Sequence, residues 1–215
     1  MKKIFTFVAV AAMLLIAGNA NAQLGLHVGY APQNYLGKYT SGSTTVSDTS
    51  KMTGFFVGAD YNINLTGDLN VSLGLQGRYN TSSESTTLLG TTTKVDGTQM
   101  LIDVPVLFNY GLNLSDALKL SVFAGPTITY ALSGNTKTTI SGSPAGLLDG
   151  TTEANWYGDN TNRKKLDVAL TFGAAITFSD IKIFGGYNMG LMNLTTADNT
   201  TIKGSNLFLG VGYNL

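Results

Sequence analysis

From residue 23 to the end of the chain, apolar side chains recur at every second position. In 23–32, Leu24, Leu26, Val28 and Tyr30 alternate with Gly25, His27, Gly29 and Ala31. In 53–65, Phe55, Val57, Ala59, Tyr61, Ile63 and Leu65 stand against Phe56, Gly58, Asp60, Asn62 and Asn64. The same alternation runs through 69–80, 98–112, 118–132, 165–178, 181–192 and 205–215. Period two marks a strand with one apolar and one polar face. Eight such segments follow, each 10 to 15 residues long. A strand in a water-soluble sheet averages about 5–6 residues, whereas a strand crossing a bilayer needs roughly 9–11.

The connections alternate as well. Segments 66–68, 113–117 and 179–180 are short and built on Gly67-Asp68, Ser115-Asp116 and Ser179-Asp180. Segments 33–52, 81–97, 133–164 and 193–204 are long and rich in Thr, Ser, Gly and Asn, and read as loops. Short turns at one end and long connections at the other form the pattern of an outer-membrane barrel, with the long connections outside the cell. An even strand count then places both termini in the periplasm. The prediction is an all-β, eight-stranded antiparallel up-and-down transmembrane β-barrel. Pro105 and Pro126 fall inside strand segments, where a missing N–H predicts a bulge or local irregularity.

The first 22 residues lie outside this pattern. Met1-Lys2-Lys3 is basic, 4–17 is apolar, and Ala20-Asn21-Ala22 is an A-x-A site. These features predict a secretory signal peptide, 1–22, followed by a barrel domain, 23–215. The apolar run is short for a spanning helix. No cysteine is present, which excludes a lipobox anchor and a disulfide framework. Charged residues make up only 12% of the chain, against roughly 25% in soluble domains. Thirteen basic and thirteen acidic residues leave no net charge to attract nucleic acid.

Outward aromatics give a further check on the membrane reading. Tyr30, Phe55, Tyr79 and Tyr130 lie near the long-loop ends of their segments. Tyr61, Phe108, Tyr110, Phe178 and Tyr213 lie near the short-turn ends. Two such girdles belong at the two membrane–water interfaces. The alternative is a soluble lipocalin-like barrel, with every Leu, Phe and Tyr crowded inside.

Two stretches carry a family resemblance: 101–110, LIDVPVLFNY, and 120–127, LSVFAGPT. A proline in the fourth strand, a short turn and AGP in the fifth resemble the small outer-membrane β-barrel family common in Bacteroidetes, often labelled porin family or outer membrane protein beta-barrel domain. The resemblance covers 23–215 and implies the fold more than any activity. The chain ends Gly210-Val-Gly-Tyr-Asn-Leu215, which resembles the terminal signal read by the barrel-assembly machinery. It departs from that signal in ending on leucine and in carrying Phe208 where a polar residue is usual.

Candidate chemistry is confined to the polar face: His27, Asp60, Arg78, Asp103, Lys119, Asp167 and Lys182. Strand counting sets His27 roughly opposite Asp60, a pair able to orient an imidazole. No serine stands in place to complete a triad, so a hydrogen-bonded structural pair is expected and no catalytic residue is assigned. Arg78 and Asp103 are expected to meet diagonally across neighbouring strands, because a charge in a narrow lumen needs a partner. Asp149, Glu153 and Asp159 in the third long connection match no calcium-loop spacing, and neither metal nor cofactor is expected. That connection also holds Trp156 and Tyr157, candidate ligand contacts, and the basic run Arg163-Lys164-Lys165, which a headgroup layer would attract.

Three functions fit these residues. One is a structural or surface-interaction barrel with a side-chain-filled lumen that displays long loops to an unidentified extracellular ligand. The others are a narrow solute channel and an outer-membrane lipid-modifying enzyme. Side chains fill an eight-stranded barrel, which favours the first. The partners expected are membrane lipids and, during biogenesis, the assembly machinery.

Overall fold

A computed structural model describes residues 22–115, 117–143, 148–158 and 161–215. The segment 1–22, expected from the sequence to be a signal peptide, lies outside the described residues apart from Ala22, where the first strand begins. Asp116 and Asp159 lie outside them too.

In chain order the strands are β1 (Ala22–Tyr30), β2 (Gln33–Ser41), β3 (Thr44–Thr66), β4 (Leu69–Leu88) and β5 (Thr91–Ser115). Then come β6 (Leu118–Ser141), β7 (Gly150–Asn155), β8 (Leu166–Phe178), β9 (Ile181–Gly190) and β10 (Thr200–Asn214). β1 and β2 are two halves of one barrel strand. Both pair with β3 on one side and β10 on the other. The break falls at Ala31-Pro32, where proline has no N–H to give the ladder. β7 pairs only with the outer end of β6. The remaining strands close a ring in the order β1/β2, β3, β4, β5, β6, β8, β9, β10 and back to β1/β2, every pairing antiparallel. The ring is the predicted eight-stranded barrel.

The faces fall as the alternation requires. Val28, Phe55, Val57, Ile183, Leu209 and Val211 point outward, each more than half exposed. His27, Asp60, Arg78 and Asp103 point inward and are buried. An apolar exterior around a polar interior is stable only if hydrocarbon surrounds it. Leu75→Arg, midway along the apolar part of β4, should therefore cost about 2–4 kcal/mol in lipid. Urea unfolding in lipid vesicles measures this. A neutral result would mean that the outer face meets water.

The long connections differ from expectation. Segments 33–52 and 81–97 are continuous β-ribbons. β2 pairs with β3 from Gln33↔Met52 to Ser41↔Thr44, and β4 with β5 from Thr81↔Thr98 to Leu88↔Thr91. In 133–164, β6 runs on to Ser141 and β7 returns along it. The ribbons close on tight turns, one at Gly42 and one at Leu89-Gly90, where both residues have positive φ. Such a turn matches the twist of the flanking strands. Hydroxyls meet across the ribbons, Thr40 with Thr45 at 3.1 Å and Thr87 with Thr92 at 2.9 Å. Both faces of a ribbon in water are polar, so no hydrophobic period announces it. The threonines supply the β-preference instead.

The two prolines produce no register shift. Pairing between β5 and β6 lapses between Pro105↔Thr127 and Phe108↔Ala124 and resumes in the same register. The shifts lie elsewhere, at Met100/Leu101 and Asn113/Ser115. Pro105 turns inward above Gly74, whose missing side chain leaves room for the ring. Pro126 points outward, paired with Leu170 of β8.

Candidate functional site: the lumen and its outer mouth

Inward residues stack in layers along the barrel axis. Nearest the short turns is a polar vestibule of about 300 Å³ lined by Lys119, Lys182, Asp180 and several asparagines. Above it stands Asp60. His27 pairs across the ladder with Gly58, and Gly25 with Asp60, so the two side chains are diagonal rather than opposite. His27 Nδ1 lies 2.9 Å from Asp60 Oδ1. An ionised carboxylate only accepts, which puts the proton on Nδ1. Asn62 donates to Asp60 Oδ2 at 2.6 Å, and Lys182 Nζ sits 3.4 Å from both oxygens. His27 Nε2 faces Gly58, while Phe56 and Phe184 flank the ring at 5.9 and 5.8 Å. Ser72, also at this level, donates to Asn62 and accepts from Asn109. It is engaged away from the imidazole.

The next layer is aromatic. Phe56, Phe123, Phe184 and Phe208 all turn inward, with Leu107, Ala31 and Ala175 beside them. Each ring has a glycine beneath it. A Cβ on Gly29 would collide with Phe56, on Gly210 with Phe184, on Gly173 with Phe123 and on Gly186 with Phe208. A wall of ordinary residues would leave no room for four rings in so narrow a tube.

Over the phenylalanines lies a belt of polar side chains. Arg78 Nη2 donates to Asp103 Oδ1 at 3.0 Å. Its Nη1 donates to Gln33 at 2.6 Å and to Asn206 at 2.9 Å. Asp103 is 0% exposed and also accepts from Thr129 at 2.6 Å and Gln76 at 3.0 Å. From Asn206 the belt runs on through Asn188 and Thr171 to Thr127. Every strand of the ring except β3 contributes to it. Asp167, the remaining polar-face candidate, stands beside this belt with Oδ1 buried and unpartnered.

At the outer end Gln99 accepts from Tyr35 at 2.7 Å and from Asn80 at 3.1 Å, and donates to Tyr157 at 2.7 Å. Trp156 folds across Gly97 and Gly134 and donates to Thr136 at 2.6 Å. Trp156 and Tyr157 are thus not exposed loop aromatics. Their polar ends are held by partners within the mouth, and both side chains are part-buried there. Arg163 also departs from the expected place at the headgroups. Its guanidinium lies between the rings of Tyr35 and Trp156, 4.7 and 4.4 Å from their centroids. Lys165 stands 6.0 Å over Tyr157.

The acidic residues of the third connection serve the loop itself. Hydrogen bonds from the Ser143 hydroxyl and amide, and from the Gly142 amide, hold the Asp149 carboxyl below the usual carboxylate range. Glu153 faces Lys137 at 3.8 Å. Among the described residues no three His, Asp or Glu side chains gather to hold a metal ion.

Sequence reasoning reached the charged members of the lumen and missed the amides, hydroxyls and phenylalanines that join them. Their parity along each strand was the available signal.

A closed ring with an apolar exterior and a hydrogen-bonded interior defines a small transmembrane β-barrel. The chain belongs to the outer membrane protein beta-barrel domain family, whose model matches residues 16–196. It is a protein of the bacterial outer membrane. Similar solved structures include Ail, the attachment invasion locus protein of Yersinia pestis, in complex with the heparin analogue sucrose octasulfate. That match has 15% identity, covers 91% of this chain and 99% of that one, and has a TM-score of 0.39. Neisserial surface protein A matches at 14% identity over 88% and 97%, TM-score 0.39. The outer membrane enzyme PagL matches at 13% identity over 87% and 97%, TM-score 0.38. No curated protein matches the chain.

Proposed function

We propose that this protein is a closed, non-conducting barrel that holds stiff β-ribbons above the membrane for interaction at the cell surface. The observation that carries this reading is the continuous belt from Gln33 and Arg78 through Asp103, Thr129, Asn206 and Asn188 to Thr127, laid over four phenylalanines. Hydrated ions crossing it would have to part a buried ion pair and then pass a layer of phenyl rings, both costly. The ribbons support the display role, since paired strands keep their shape where free loops would not. The same geometry speaks against hydrolysis at His27, whose Nε2 faces Gly58 and two phenyl rings rather than a hydroxyl.

Planar-bilayer recording tests closure. No stepwise conductance above the lipid background is expected, and discrete openings of the purified barrel would overturn the proposal. Orientation is tested separately. A cysteine introduced at Thr44, on a ribbon tip, should take a membrane-impermeant maleimide on intact cells, while one at Asp68 should stay protected. The reverse labelling would place the ribbons in the periplasm.

A further inference from the structure

Above Trp156, between the β2–β3 ribbon and the β4–β5 ribbon, lies an open cup of about 340 Å³. Its floor is the stack of Tyr35, Arg163 and Trp156. Asp48 and Ser50 of β3 form one wall, and Ser82 and Glu84 of β4 the other. Arg163 is the unusual member. Two aromatic faces fix the plane of its guanidinium, yet among the described residues it has no ion pair and no side-chain hydrogen bond. Its Nε is buried without a partner. A guanidinium stacked in this way presents its donors edge-on, in the fork that matches the two oxygens of a carboxylate or sulfate. Arg78 also leaves its Nε without a partner, but its two Nη atoms are engaged by Asp103, Gln33 and Asn206, whereas Arg163 is engaged by rings alone.

The walls narrow the choice of ligand. Asp48 and Glu84 face Arg163 across the cup, so it carries no excess positive charge to attract a second or third anionic group. Paired carboxylates and serine hydroxyls suit a ligand rich in hydroxyls, which donate to the acids and accept from the serines. We infer that the cup is a receptor site for a singly charged acid sugar, its carboxylate or sulfate seated on Arg163 and its hydroxyls on Asp48, Ser50, Ser82 and Glu84. The site lies inside the ring of strands, away from lipid headgroups around the barrel. The inference rests on the display reading only in taking this end of the barrel to face outward. Binding to the purified protein does not depend on that.

Trp156 is the chain's one tryptophan, so its fluorescence reports on the stack directly. The detergent-solubilised barrel is titrated with galacturonate, galactose 6-sulfate, galactose and dextran sulfate. Galacturonate or galactose 6-sulfate should change the emission saturably at millimolar concentration, and the stronger of the two identifies carboxylate or sulfate as the seated group. Galactose should give no saturable change, and dextran sulfate should bind no more tightly per charged group. Arg163→Gln should weaken the response by about tenfold or more, as expected for losing hydrogen bonds from a charged donor. Its folding is checked by the mobility difference between unboiled and boiled samples. Glu84→Gln should retain the charged contact and lose affinity only slightly. Equal responses to galactose, full affinity in a folded Arg163→Gln, or no saturable response to either acid sugar would each overturn the inference. Failure of the surface-labelling experiment alone would change only which compartment supplies the sugar.

Discussion

Asp103→Ala should lower the stability of the barrel by about 3–5 kcal/mol, and Arg78→Ala by a similar amount. Each change leaves the other charge buried without its counter-ion. For Asp103 the loss includes Thr129 and Gln76, which donate to the same carboxylate. For Arg78 it includes the two amide oxygens of Gln33 and Asn206. The double change should fall well short of the sum, because the second deletion removes a charge the first had already stranded. Urea unfolding in lipid vesicles, followed by the gel-mobility difference between folded and unfolded protein, supplies all three numbers. Additivity would show that the two side chains contribute independently and that the belt is not one unit.

A loss of similar size is expected from Phe208→Ala, about 3–5 kcal/mol for a large buried ring. Phe208 stacks on Phe123 with ring centres 6.2 Å apart and leans on Phe184 at 6.2 Å. Nothing nearby can collapse into the space, since the wall behind the ring is Gly186. Phe108→Ala on the outer face should cost far less, because lipid chains fill the gap. Comparable losses for the two would mean that the inner layer contributes no more than any surface aromatic.

The apolar pattern told strand number, order and facing almost completely, because a bilayer enforces alternation along every crossing strand. Its reach ended at the membrane surface. From Lys51 and Ser83 outward both faces of β3 and β4 meet water, and Thr and Ser at successive positions read as loop. Arg78 and Asp103 were legible as a pair because burial obliges charges to pair, and two inward charges on adjacent strands left few choices. His27 and Asp60 were placed two residues out of true, since an error of one residue in the centre of the turn moves every cross-strand partner by two. Phe56 and Phe208 stood on polar-face positions in plain view. A rule that apolar means outward hides them, and only the matching glycines on neighbouring strands explain how they fit. Arg163 was beyond reach for another reason. Its contacts with Tyr35 and Trp156 join segments far apart in sequence, with no periodicity to link them.

Gly29 and Gly210 lie directly opposite each other where the first and last strands meet, and the ring of Phe56 covers both. That ring cannot settle until residues from the first and last strands of the barrel have been brought together. A slip of the closing seam by two residues that set Phe208 against Gly29 would force two phenyl groups into one space. The seam is thereby proofread from within: a misregistered closure is penalised sterically, by residues that never touch the lipid.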